Sequence, residues 1–166
     1  MDNVTQIYFQ LTETLDKYAT AIPPLLLRLV LAWEFGEAGY AKLTGSNWFD
    51  QITFPFPFNL MPPEISWHIA TWFELIGAGA LVIGLATRFF SLSLMILTVV
   101  AIAAVHWPTE WHTFGELFNG YRILDEQGDG FGNYKLPLIF LVMFAPLLFS
   151  GAGKISVDAF IKKQLI

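Results

Sequence analysis

The chain has 166 residues, of which 55% are hydrophobic and 14% charged, and its formal net charge is −5. A typical soluble domain has about 25% charged residues, so this composition argues against a soluble globular protein. The absence of cysteine excludes disulfides, thiolate metal sites and cysteine nucleophiles, and the acidic balance offers no basic surface for nucleic acid. We expect one integral membrane domain over residues 1–166, with the lipid bilayer as its partner.

The N-terminal segment has the pattern of a helix that lies on the membrane surface. Its apolar residues recur at helical spacing, and they are Val4, Ile7, Tyr8, Leu11, Leu15 and Tyr18. The first twenty residues also contain Glu13 and Asp16 in place of a basic region followed by an apolar one. We therefore expect no cleaved signal peptide.

Four apolar segments follow that approach the ~20 residues needed to cross a bilayer. They cover about residues 22–42, 65–85, 89–106 and 136–153. After the fourth segment, Ser156 is placed to cap a short amphipathic helix. The pattern predicts an all-α integral membrane four-helix bundle with amphipathic interfacial ends.

The basic residues between these segments predict the orientation in the membrane. Cytoplasmic loops carry an excess of Lys and Arg. The residues that collect on one side here are Lys17, Arg88, Lys154, Lys162 and Lys163. We expect a multi-pass protein of the bacterial inner (plasma) membrane, with both termini in the cytoplasm and its two long loops in the periplasm.

Six ionisable side chains fall within the predicted spans, where a charge costs about 2.5 to 3.5 kcal/mol on insertion scales. They are Arg28, Glu34, Glu37, Lys42, Glu74 and His106. At 1.5 Å per residue, Glu37 and Glu74 lie about 8 Å and 13 Å below the outer ends of their helices. His106 lies at such an end. The sequence therefore predicts a polar pocket that opens to the periplasm, with Arg28 deeper towards the cytoplasm.

Two roles remain open for the buried cations. Arg28 and Lys42 either fix the packing of the helices or belong to the pocket. For the packing role, the expected partners are Glu74 and Glu34.

The carboxylates and imidazoles suggest proton transfer or metal binding. Glu37, Glu74 and His106 are the main candidate ligands, because carboxylate and imidazole suit copper and other transition metals. His68 and His112 are further candidates near the outer interface. Their spacing matches no compact metal motif such as His-Glu-x-x-His.

Several short motifs resemble those of the DoxX family. The first helix contains Leu27-Arg28-Leu29 and then Phe35-x-Glu37-Ala38-Gly39-x-x-Lys42-Leu43. The second contains Glu74-Leu75-Ile76-Gly77 and leads to Gly84-Leu85-Ala86-Thr87-Arg88. The chain is most similar to the HvfX branch in Val105-His106-Trp107-Pro108, Gly132-Asn133-Tyr134 and Gly151-Ala152-Gly153-Lys154-Ile155-Ser156-Val157-Asp158.

This resemblance implies a four-helix inner-membrane protein that accompanies oxidoreductase systems, some of them linked to quinones. The HvfX branch accompanies small peptides thought to bind metals such as copper. We therefore expect an accessory protein of metal or redox stress handling. Its outward pocket would bind a metal ion, a quinone head group, or a partner such as a metal-binding peptide or an oxidoreductase.

The alternatives are a subunit of a quinone-linked oxidoreductase and a transporter of small solutes or metals. The chain has no cysteine and no evident pair of heme ligands, so we expect no electron transfer by the chain alone. Homo-oligomerisation and the identity of the ligand are left open.

Overall fold

The structure is a computed structural model that describes residues 3–126 and 128–165, and among these residues it contains no β-strand. The helices are α1 (Asn3–Ala19), α2 (Ile22–Thr44), α3 (Pro63–Ile83), α4 (Thr87–Ala101, continued by a π-helical turn over Ile102–His106), α5 (Phe114–Asn119), α6 (Lys135–Ser150) and α7 (Val157–Leu165). The predicted all-α class is confirmed.

Two helices are long and apolar enough to cross a membrane, namely Pro63–Ile83 and Thr87–His106. A third span results if α1 and α2, which meet at an angle of 50°, are taken together. Helix α6 is apolar but has 16 residues. Length and composition therefore support a helical membrane protein with two or three candidate spans among the described residues, and the four-span arrangement stays a prediction.

The predicted fourth span is too long at its C-terminal end. Helix α6 ends at Ser150, whereas we expected it to continue to Gly153. Gly151 has a φ of +83° and Gly153 a φ of +78°. These left-handed conformations do not occur in a right-handed helix, and they turn the chain towards α7.

The helix core lies between α2, α3, α4 and α6. Leu31, Leu81, Leu94 and Phe144 come from these four helices, and each is fully buried. Helices α2 and α3 run antiparallel, because the start of α2 meets the end of α3 through Arg28. This packing brings the C-terminal ends of α2 and α4 close to the N-terminal half of α3.

Arg28 is fully buried, but its partners are not the expected carboxylates Glu74 and Glu34. Its Nη1 donates to the carbonyl oxygens of Leu81 at 3.0 Å and Val82 at 3.4 Å. Its Nη2 donates to the carbonyl of Ile155. The last carbonyls of a helix have no intrahelical donor and carry the negative end of the helix dipole, so they suit a guanidinium. These contacts are of the packing kind, which is one of the two roles left open for Arg28.

The end of α3 accommodates Arg28 through Gly84. This residue has a φ of +70°, and a Cβ there would lie 2.3 Å from Arg28 Nη1. Glycine is required at this position for both the backbone conformation and the close approach.

The C-terminal helix is confirmed and is fixed to the bundle. The hydroxyl of Ser156 accepts the N–H of Ala159 at 3.1 Å, as predicted for a cap. The carboxylate of Asp158 accepts the N–H groups of Ala86 at 2.7 Å and Thr87 at 2.9 Å. One acidic side chain of α7 thus satisfies the free N–H groups that begin α4.

Candidate functional site

The predicted pocket contains a buried ion pair between α2 and α3. Lys42 Nζ lies 2.8 Å from Glu74 Oε2 and 3.1 Å from Oε1. The two side chains are 17% and 10% exposed. Lys42 also donates to the carbonyl of Ala38 at 3.4 Å. Among the expected pairs, Lys42 with Glu74 is confirmed.

A glycine lets the two helices approach closely enough for this pair. A Cβ on Gly39 would lie 3.1 Å from Glu74 Cβ and 2.9 Å from Leu75 Cγ. Small residues at such contacts allow close helix packing in membranes. The position of Glu74 therefore depends on the backbone of α2 as well as on Lys42.

His106 is the third member of the site, and contacts with Asn133 hold it in place. It ends the π-helical turn of α4, where Trp107 N donates to Ile102 O at 2.7 Å. Its Nδ1 lies 2.7 Å from Asn133 Oδ1, and Asn133 N donates to the carbonyl of His106 at 3.0 Å. With Oδ1 as the acceptor, a neutral imidazole carries its proton on Nδ1 and presents Nε2 as an acceptor.

Two cavities, of about 310 Å³ and 170 Å³, share this polar group. Lys42, Glu74 and His106 line both of them. The larger cavity lies between the N-terminal half of α3 and the C-terminal half of α4, and the segment over residues 48–61 covers it. The smaller one reaches Glu34 and the start of α6. The arrangement places one ion pair and one imidazole on the common wall of two cavities.

Aromatic rings also line the larger cavity. The ring centroid of Phe49 lies 5.0 Å from those of Trp48, Phe54 and Trp67. Trp48, Phe49 and Phe54 line the cavity together with Ser66. In the described part of the chain, the buried Ser66 hydroxyl has no hydrogen-bond partner. The wall is thus apolar with one unsatisfied polar atom, as in many small-molecule sites.

The structure does not bring all the predicted pocket residues together. Glu37 is exposed and lines neither cavity, whereas Glu34 lines the smaller one. No group of three or more metal-ligating side chains of the kinds expected here is found among the residues that the structure describes. The proposed ligand set of Glu37, Glu74 and His106 is therefore not assembled, because Glu37 faces away from α3.

The two other histidines lie outside the cavities. His68 is exposed on α3. The side chain of His112 is 83% exposed, and its Nδ1 lies 3.6 Å from Glu116 Oε2. Neither lines a cavity with His106.

The loop that carries Asn133 is stabilised by a cluster around Arg122. The guanidinium donates to Asp125 at 3.0 Å, to the carbonyl of Gly132 at 3.0 Å, and to both carboxylate oxygens of Asp129. These contacts join Arg122, Asp125, Asp129 and Gly132 in the loop that leads to Asn133, the partner of His106.

The order of this loop should depend on pH. The hydrogen bonds from Arg122, and that from Phe131 N, hold the pKa of Asp129 below its usual range. A carboxyl whose pKa is lowered on folding adds stability above its ordinary value, about 3.9, and loses it as the pH falls through the lower value. We expect the amide of Phe131 to stay protected from hydrogen exchange at neutral pH and to lose protection below pH ~4.

Arg122→Gln provides the control for that measurement. It removes the donors, so protection should be lower at neutral pH and the acid transition should move up towards the ordinary pKa of Asp. The same transition in both proteins would show that Arg122 does not hold the loop.

The model of the DoxX family matches residues 24–107. The chain belongs to the DoxX family. It is also similar to a protein of Haemophilus influenzae (strain ATCC 51907 / DSM 11121 / KW20 / Rd) described as an uncharacterized protein. The two are 45% identical over 141 residues, which cover 84% of this chain and 83% of the relative. No solved structure matches.

The part that matches the DoxX family contains Lys42, Glu74 and His106 but ends before Asn133. The polar group of this DoxX protein therefore lies within the family region, and its loop support lies outside it. The similarity to the HvfX branch stays a prediction, since the printed description of the relative gives no branch or function.

Proposed function

We propose that this DoxX protein is an inner-membrane accessory protein of redox handling whose outward cavity binds a quinone head group. The observation that carries the proposal is that Lys42, Glu74 and His106 line a cavity of about 310 Å³ together with several aromatic rings. The metal version has weaker support, since the expected ligands are not assembled.

A quinone head group fits the chemistry of these walls. Its flat ring is apolar and stacks on aromatic side chains, and its two carbonyl oxygens need donors. The ammonium of Lys42 is one donor, and the unpartnered hydroxyl of Ser66 is another. In the reduced form, a ring hydroxyl would donate to Nε2 of His106 or to the carboxylate of Glu74.

The position of the cavity also suits a ligand with a long apolar tail. Ile69 on α3 and Val105 on α4 line it, and they are 39% and 43% exposed on the outer surface of the helices. The cavity therefore reaches the surface between α3 and α4. In a bilayer that surface faces acyl chains, where a quinone tail resides.

The membrane arrangement in this proposal has four spans, formed by α2, α3, α4 with its π-helical turn, and α6. Both termini lie in the cytoplasm. Support comes from the grouping of Arg88, Lys154 and Lys162 around one cavity at the end of the bundle away from His106, as the positive-inside rule requires. The amphipathic α1 and α7 would lie at the cytoplasmic interface.

A second candidate is a catalytic subunit of a quinone-linked oxidoreductase that uses the same cavity. The contact between His106 Nδ1 and Asn133 favours it, because a carbonyl partner fixes the orientation of a proton-transferring imidazole. In that case, Glu74 and His106 would exchange the ring protons with the periplasm while a partner supplied the electrons.

Quinone binding is measurable with the purified protein in mild detergent. We expect a short-chain quinone to quench tryptophan fluorescence saturably, because Trp48 lines the cavity. Lys42→Gln and His106→Gln should each weaken binding by about tenfold, the value of one hydrogen bond to a charged or polarised group. A catalytic subunit would also oxidise or reduce the quinone with an added electron carrier.

Matched controls separate binding from general quenching. Glu37→Gln and His112→Gln should leave the affinity unchanged, since neither side chain lines the cavity. Non-saturable quenching that is equal in all variants would exclude a quinone site. Stoichiometric copper or zinc that is lost in His106→Gln, without quinone binding, would favour the metal function.

A further inference from the structure

A larger cavity, of about 650 Å³, lies at the other end of the bundle from His106. It is formed where the hinge between α1 and α2, the start of α4, the end of α6, and α7 come together. Thr87 at the start of α4 lines it, and His106 ends the same span about 29 Å further along the helix. This cavity is therefore separate from the proposed quinone site.

Three cations line the cavity, namely Arg88, Lys154 and Lys162. All three are exposed. Arg88 Nη2 donates to the carbonyl of Phe149 at 3.0 Å, and a Cβ on Gly151 would lie 3.6 Å from its Nε. The guanidinium thus lies along the turn that ends α6, with further N–H groups beyond that one hydrogen bond.

The carboxylate of Asp158 also lines the cavity, but its oxygens already accept hydrogen bonds. Both oxygens of Asp158 accept N–H groups at the start of α4, from Ala86 at 2.7 Å and from Thr87 at 2.9 Å. The lining therefore has an excess of positive charge, with three cations against one carboxylate.

A buried hydroxyl provides an independent indication of a ligand. Thr87 is fully buried and lines the cavity. Its Oγ1 has no hydrogen-bond partner within residues 3–126 and 128–165. A buried polar atom without a partner costs about 1–3 kcal/mol, so such an atom usually meets a ligand or a water.

Much of the remaining lining is apolar and lies at the predicted membrane interface. It includes Pro23, Pro24, Leu27, Phe89 and Pro146. Basic pockets between membrane helices, with apolar surface beneath them, suit a phosphate that is attached to acyl chains. A free phosphate would leave this apolar surface unused.

We infer that this cavity binds the phosphodiester head group of an anionic phospholipid. The cations would bind the phosphate oxygens, and the Thr87 hydroxyl would donate to one of them. The acyl chains would lie along the apolar lining that α2, α4 and α6 provide. The cytoplasmic leaflet follows from the proposed orientation, whereas the binding itself does not depend on the quinone site.

Native mass spectrometry of the full chain tests this inference. The detergent-solubilised protein is mixed with phosphatidylglycerol, cardiolipin or phosphatidylcholine, and the bound lipid is measured at each concentration. We expect the two anionic lipids to bind more tightly than phosphatidylcholine. Arg88→Gln, Lys154→Gln and Lys162→Gln should each weaken that binding by about fivefold.

Lys163, the residue after Lys162 on α7, provides a matched control. Lys163 is exposed and does not line the cavity, so Lys163→Gln should bind the anionic lipids like the unmodified protein. Equal binding of phosphatidylcholine, or an equal effect of Lys163→Gln and Lys162→Gln, would overturn the inference. In that case the charge of the whole surface would attract the lipid.

Two further arms identify the source of the phosphate and the role of the hydroxyl. Inorganic phosphate at millimolar concentration should not displace phosphatidylglycerol; full displacement would replace the lipid with a soluble ligand and overturn the inference. Thr87→Val keeps the side-chain shape, so the lipid-free protein should be at least as stable while anionic lipid binds more weakly. Unchanged lipid binding in Thr87→Val would remove the hydroxyl from the site and contradict the inferred contact.

Discussion

Lys42→Met should destabilise the protein by about 3–5 kcal/mol, because it leaves the Glu74 carboxylate buried without its counter-ion. The Glu74 side chain is 10% exposed, and both its oxygens accept from Lys42. The free energy of unfolding can be measured in mixed micelles of mild detergent and dodecyl sulfate.

A double variant distinguishes loss of the partner from loss of packing. Lys42→Met with Glu74→Leu removes both charges, and we expect it to recover most of the stability, since apolar pairs often replace buried ion pairs at little cost. Glu37→Gln is the matched single change on α2 and should be close to neutral. A double variant as unstable as the sum of its single changes would show that the pair does not act as a unit.

Arg28→Met should also destabilise the protein by about 3–5 kcal/mol, for a different reason. It leaves the carbonyls of Leu81 and Ile155 without the donors that Arg28 supplies. Arg28→Lys should recover only part of the loss. A single ammonium nitrogen cannot reach the two separate carbonyls to which the two terminal nitrogens of the guanidinium donate. The same unfolding measurement applies.

The distance of Arg28 from the cavity provides a control. Arg28 lies at the end of the bundle away from Lys42, so Arg28→Lys should leave quinone affinity unchanged while it lowers stability. Lys163→Gln, an exposed charge on α7, should change neither quantity. If Arg28→Met unfolds like the unmodified protein, the guanidinium does not hold α3 to the segment before α7.

The helices of the core were predictable because each has a mostly apolar sequence with recognisable signals at one or both ends. The proline pair at Pro62 and Pro63 marks the start of α3, and Gly84 marks its end. The end of α6 was misjudged because Gly151 and Gly153 are compatible with an apolar segment in composition but not in backbone conformation. Single glycines therefore limit how well hydropathy defines a helix end.

The members of the site were only partly predictable. The ion pair of Lys42 with Glu74 was one of the pairs expected for helix packing. Depth along the helix placed Glu37 in the same pocket, but depth does not say which side of α2 meets α3. Glu34 and Glu37 differ by about 60° around the helix, and that difference separates a cavity-lining side chain from an exposed one.

The support of the site was not predictable from local sequence. Asn133 lies 27 residues from His106, and only the folded loop brings its Oδ1 to 2.7 Å from Nδ1. The aromatic wall comes from the segment that includes Phe54, which we would expect to be extended along the membrane interface. It instead turns back at Phe56 and Pro57 and covers the cavity. These contacts are set by the tertiary fold.

The most direct test of the quinone site is photo-crosslinking with an azidoquinone, followed by mass-spectrometric mapping of the labelled peptides. The labels should fall on the cavity lining, in residues 48–61 and in the end of α4 that includes His106. An excess of unmodified quinone should remove them, and Lys42→Gln should reduce them while Glu37→Gln does not. Labels that resist competition, or that spread over the exposed side of α2, would contradict the assignment of this cavity as a quinone site.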